Sequence, residues 1–150
     1  RWQTFGIKFV GYYLTYRFKI KYYICIHNNM EKETLNIDFR KKIFKAQLNG
    51  IGFKEGDSHI IYLPSLQISS YGDTVKEANE MMKISLKEFS ENLLELNELK
   101  VNSILKQLGW SRTKFFNKRL VHLSETTFED IKKEFNLPDD TQVQKIPIAV

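Results

Sequence analysis

The feature that most constrains this chain is a long, one-sided apolar stripe. Val75, Ala78, Met82, Leu86 (or its neighbour Ser85), Phe89, Leu93 and Leu96 recur at intervals of three and four, which predicts an amphipathic helix to about Leu96. Met81 and Ile84 widen the stripe, and core packing explains them better than a cofactor box does. Thr74 with Glu77 three residues on has the spacing of a capping box, so the helix start is specified as well as its face. Such a face has to be covered, and the residues before it supply a cover.

Those residues read as three short strands. Lys41 to Phe53 carries Ile43, Ala46, Leu48, Ile51 and Phe53, with a bulge or bend expected at Gly50 and Gly52. A turn at Glu55-Gly56-Asp57-Ser58 leads into His59 to Leu63, which Pro64 stops. Leu66 to Tyr71 forms the third, with Leu66, Ile68 and Ser70 on one face and Gln67, Ser69 and Tyr71 on the other. The fold class expected is α+β: an antiparallel three-stranded meander packed by the long helix.

Beyond that helix, Val101, Ile104, Leu105 and Leu108 mark a shorter one that Gly109 stops. Arg119 to Leu123 is a candidate strand. Thr126 with Glu129 repeats the capping-box spacing and opens a helix through Phe135. KIPIAV is a candidate last strand, confined to a sheet edge by Pro147. The organisation expected is an N-terminal extension over 1–29, an α+β domain over 38–110 and a smaller extension over 111–150.

The net charge of +5 is unevenly placed. Residues 1–29 contain Arg1, Lys8, Arg17, Lys19 and Lys21 and no acid, whereas residues 30–150 balance 18 basic against 18 acidic residues. The basic pI therefore says nothing about nucleic-acid binding by the rest. The first 29 residues also hold nine of the twenty aromatics. Arg17, Lys19 and Lys21 break the run that a membrane anchor needs, and no secretory pattern is visible. Tyr16, Phe18, Ile20, Tyr22, Ile24 and Ile26 alternate as in a strand; the change of composition at Met30 equally suits a natural start there. Cys25 is the single cysteine, which leaves a reducing cytoplasm as the expected compartment.

Catalytic signatures are weak. His27, His59 and His122 are far apart and lack partners at metal-ligand spacing, so neither metal nor cofactor is expected. No phosphate-cradling glycine loop or nucleophile elbow occurs. Residues 126–143 have a faint helix-turn-helix look, with a second helix from Asp140, but its Asp139-Asp140 opening would repel phosphates. Arg112, Lys114, Lys118 and Arg119 are the candidates for nucleic-acid contact.

YLPSLQISSYGDTVKEA carries a resemblance. Tyr62, Pro64-Ser65-Leu66 and Gly72-Asp73-Thr74-Val75-Lys76-Glu77-Ala78 follow the order of a tyrosine-rich strand, a P-x-L segment and a G-D-T-x-x-E-A helix start, and Leu105 to Trp110 looks like an L-x-x-x-G-W ending. Over about a third of the chain it is similar to the HicB-like antitoxins, and to a solitary branch of that group. The resemblance implies a partial RNase H-like fold without nuclease activity, and a small basic RNA-cleaving toxin, HicA-like, as the partner that is bound and occluded. Gln67 stands where many relatives have an acid, and no clear DNA-binding tail follows. On this reading Tyr62, Leu66, Ile68 and Tyr71, on the exposed side of the meander, contact the partner. The alternatives are a DNA-binding regulator using residues 112–145, and a homodimeric domain without a toxin; self-association is expected in either case, and no membrane.

Overall fold

The computed structural model describes residues 32–114 and 118–150, so the expectations for residues 1–29 lie outside the described residues. The architecture is α+β. The strands are β1 (Thr34–Asp38), β2 (Ile43–Glu55), β3 (Ser58–Leu63), β4 (Ile68–Gly72), β5 (Trp110–Arg112), β6 (Arg119–His122) and β7 (Gln144–Ala149). The helices are α1 (Val75–Glu95), α2 (Glu98–Gln107) and α3 (Phe128–Glu134). All strand pairs are antiparallel, in the order β4-β3-β2-β1-β6-β5, with β7 on β2.

The sheet branches at β2. Gln47 is flanked by Thr34 of β1 and Ala149 of β7, and Ile51 by Tyr62 of β3 and Lys145 of β7. Because β7 runs unbroken along one side of β2, β1 and β3 share the other side end to end. The glycines expected to bend β2 do something else. Pairing passes Gly50 and Gly52 residue for residue, without a bulge. A Cβ on Gly50 would lie 2.9 Å from Ile148 Cδ1, and one on Gly52 would lie 2.6 Å from Ile146 Cδ1. The glycines make room for the side chains of β7. Pro147 sits opposite Asn49, whose N–H turns away from β7, so its missing N–H falls on the outer side of an edge strand, as its position in sequence implied.

One face of the sheet carries the larger core. Leu35, Ile37, Ala46, Leu48, Ile61 and Leu63 meet Ala78, Met82, Leu86 and Leu93 of α1 and Val101 and Leu105 of α2. Each large apolar side chain so covered is worth about 1.5–3 kcal/mol relative to exposure. Thr74 caps α1 by accepting the Glu77 N–H, but the Glu77 carboxylate reaches the N–H of Asp73 rather than that of the cap. Met81 and Ile84 do not join the core: they are 43% and 49% exposed.

The opposite face is covered too. Ile131 of α3, with Phe135, Leu137 and Val143, packs on Ile51, Phe53, Tyr62 and Ile60. The capping box of α3 is one residue later than its spacing suggested: Thr127 Oγ1 accepts from Asp130 N, and Asp130 Oδ2 accepts from Thr127 N. No second helix follows. Asn136 takes φ 51°, and the chain turns at Pro138–Thr141 into β7, which removes the helix-turn-helix reading. Residues 111–150, expected as an extension, supply β6, α3 and β7 to the same sheet and cores. No helix among the described residues is long and apolar enough to cross a membrane.

Candidate functional site

Two places gather groups with chemical or recognition potential. The first is the gap on β2 between the ends of β1 and β3. There the Asn49 N–H points at no strand, and the Glu33 carboxylate takes the place of one: its Oε1 accepts from Asn49 N at 2.7 Å and from Ser65 Oγ at 3.0 Å. Its Oε2 lies 3.6 Å from His122 Nδ1, with both side chains largely buried. Trp110 leans on the His122 ring, centroids 5.1 Å apart, and donates its Nε1–H to the Ser65 carbonyl at 2.8 Å.

A serine, a histidine and a glutamate within hydrogen-bonding range invite comparison with a nucleophilic triad, and the geometry rejects it. Ser65 is 1% exposed and its hydroxyl is directed to the carboxylate, not to an imidazole. Both nitrogens of His122 face carbonyl oxygens, Nδ1 that of Ser124 at 2.8 Å and Nε2 that of Leu108 at 2.9 Å. No base is left for the serine. The cluster holds three ends of backbone together, and of its members the sequence reading had singled out only Ser65 and Trp110 within motifs and His122 as an isolated histidine. Glu33 carried no signal, because its role depends on a gap between strands that pair with a third.

The second place is the outer edge of β4, the outermost strand of the sheet among the described residues. Reciprocal backbone bonds between Ala46 and Val150 fix which residues of β2 face β7. Alternation then sends Ile51 and Phe53 toward β3, and Ile61 and Leu63 of β3 toward β4. In β4, residues 68, 70 and 72 therefore bond to β3, and the N–H and C=O of Ser69 and Tyr71 point outward. The strand ISSYG has no charge, proline or bulge to protect that edge. Tyr71 is 73% exposed.

Of the four residues expected on the exposed side of the meander, only Tyr71 is exposed. Leu66 is 3% exposed within the larger core, and Ile68 packs against it half-buried. Tyr62 lies under α3, edge-on to Phe135 at 5.0 Å, and donates its hydroxyl hydrogen to Glu134 Oε1 at 3.0 Å. Burial, with the Glu134 carboxylate beside it, pushes its pKa up to about 12. The face expected to be open is closed by residues 128–143, whose contribution to the core their sequence did not reveal.

The basic residues are dispersed among ion pairs. Arg112 Nη2 meets Glu98 Oε1 and Asn102 Oδ1, each at 2.7 Å, and Lys118 Nζ meets Asp38 Oδ2 at 2.6 Å. That lysine, with the backbone N–H groups of Lys41 and Arg40, holds the Asp38 carboxyl below its usual pKa. Arg112, Lys118 and Arg40 line one cavity of about 350 Å³ together with Asp38 and Glu98, so its charges alternate instead of summing. Lys114 and Arg119 are exposed. Among the described residues no three His, Cys, Asp or Glu side chains group as metal ligands.

No family of known proteins, no curated protein and no solved structure matches this chain.

Proposed function

We propose that this chain is a non-enzymatic binding protein of antitoxin type, HicB-like with a partial RNase H-like fold, that sequesters a small RNA-cleaving toxin in the cytoplasm. The observation that carries this reading is the outer edge of β4, with which no other strand of the described residues pairs. Two outward N–H and two outward C=O groups, at Ser69 and Tyr71, offer a partner strand its main-chain hydrogen bonds, and the Tyr71 ring supplies an anchor beside them. The order of motifs from Tyr62 to Ala78 supports the family. A non-catalytic role is supported by Ser65, His122 and Glu33, whose polar atoms are committed to holding the strand junction. DNA binding is disfavoured because Arg112 and Lys118 already pair with carboxylates.

The test is capture from native lysate with the full chain, its Ser69→Pro variant and its Tyr71→Ala variant. Ser69 N–H faces away from β3, so proline there leaves the sheet intact and removes one docking donor. Stoichiometric recovery of one small basic protein by the unsubstituted chain, lost in both variants at unchanged melting temperature, is the expected result. Recovery of the bait alone, or capture indifferent to both substitutions, overturns the reading.

A further inference from the structure

The outer side of α1 adjoins the β4 edge and is neither core nor ordinary helix surface. From Glu77, steps of four, three, four, three and four lead to Met81, Ile84, Glu88, Glu91 and Glu95, one continuous stripe. Over a helix of 21 residues, about 30 Å long at 1.5 Å per residue, it contains four carboxylates, two apolar side chains and no lysine or arginine. Its position follows from contacts at both ends of the helix. The Glu77 carboxylate accepts the Asp73 N–H, and a Cβ on Gly72 would lie 2.8 Å from Glu77 Cβ, so the stripe begins above β4. On the other flank, Lys42, in the turn between β1 and β2, donates to the Leu94 carbonyl, so that flank faces the interior of the sheet. The lysines of α1 lie toward that flank: Lys76 and Lys87 reach only Glu80 at 4.0 Å and Glu91 at 3.9 Å.

Met81 and Ile84, 43% and 49% exposed, are thus an apolar pair set between Glu77 and Glu88, beside an open and uncharged strand edge. We infer that this surface docks a cationic protein segment, whose lysines or arginines meet Glu77, Glu88, Glu91 and Glu95 while apolar side chains seat on Met81 and Ile84. The inference rests on the strand-addition reading above and extends it from the edge onto the helix. The charges decide among occupants. A nucleic acid is repelled by a stripe of four carboxylates. A second copy of the chain is disfavoured as well: antiparallel two-fold packing about Met81 and Ile84 sets Glu77 of one helix against Glu88 of the other, and parallel packing sets each glutamate against itself. Like charges so opposed disfavour association.

The experiment places photoreactive benzoylphenylalanine at residue 71 or residue 84 of the full chain in the cells that make it. The same protein cross-linked at both positions, through a segment carrying several lysines or arginines, is the expected result. For the purified pair, Glu88→Lys/Glu95→Lys weakens binding at least about tenfold, in the direction that like-charge juxtaposition requires. Glu129→Lys, on α3 across the sheet, leaves binding unchanged, and melting curves confirm that each variant folds. Cross-linking at 71 with none at 84 overturns the helix surface and leaves the edge reading standing; cross-linking at neither overturns both. Cross-linking at 84 to a second copy of the chain or to nucleic acid overturns the inference outright, as does indifference to the charge reversal.

Discussion

Glu33→Ala tests the junction between β1, β2 and β3 most directly. The substitution removes the acceptor of two hydrogen bonds, from Asn49 N–H at 2.7 Å and Ser65 Oγ at 3.0 Å, and the carboxylate 3.6 Å from His122. Hydrogen bonds to charged groups are worth about 1.5–3 kcal/mol each, and partly buried donors left unmade carry their desolvation cost. The expected loss is therefore about 3–5 kcal/mol, a large fraction of the roughly 5–15 kcal/mol by which a domain of this size is stable. Glu33→Gln keeps an acceptor oxygen and loses only the charge, so it should cost about half as much on the same scale. Urea unfolding followed by circular dichroism measures both, the slope with denaturant reporting whether the unfolded state has changed. The reasoning predicts the order wild type, Gln, Ala. A Glu33→Ala protein within about 0.5 kcal/mol of wild type, the range of ordinary surface substitutions, would refute the claim that this carboxylate substitutes for a missing strand.

Gly72→Ala should be poorly tolerated, because the new Cβ would stand 2.6 Å from the backbone nitrogen of Ala78, whereas Gly56→Ala meets nothing and should cost only about 1 kcal/mol for its left-handed backbone; thermal melts compare the two, and an equal effect would contradict the tight approach of α1 to β4. Tyr62 titrates near 12 when folded against 10.0 otherwise, so its neutral form is favoured by folding. That contribution is complete below pH 10 and is lost as pH rises toward 12, a decline that Tyr62→Phe should flatten in alkaline unfolding curves. Thr127→Ala should destabilise by about 1 kcal/mol through the lost cap. Thr127 holds the Asp130 carboxyl below its usual pKa, so the deficit should be full at neutral pH and shrink as pH falls through the folded pKa of that carboxyl; a deficit independent of acid would show that the side-chain bond contributes nothing.

How much of this was legible in the chain follows from which interactions are local. The capping threonine of α1, its inward face from Ala78 to Leu93, and the stop at Gly109 are consequences of backbone and side-chain geometry within a few residues, and each was readable. β1 carries no strand signal of its own, because Thr34–Asp38 offers only Leu35 and Ile37 as pattern, too few alternations to announce a strand. The third strand begins at Ile68, not Leu66, because Gln67 takes φ 55° to close the turn after Pro64, a conformation that glutamine does not advertise.

What only the tertiary structure decided is which surfaces remain. The sequence suggests an exposed side shared by Tyr62, Leu66, Ile68 and Tyr71; in the sheet Tyr62 and Tyr71 lie on one face, and Leu66 packs in the core on the other side. Alternation could not reveal that Ile131 and Phe135, some seventy residues later, return to cover Tyr62 and leave Tyr71 exposed. Periodicity put Met81 and Ile84 on the margin of the apolar stripe. Whether that margin met a neighbour depended on α1 lying over the outermost strand, with no further element beyond it among the described residues. Local patterning determines the elements and their faces, because those depend on the chain's own repeat; exposure depends on contacts between distant segments, and so does the carboxylate of Glu33 standing in for a strand.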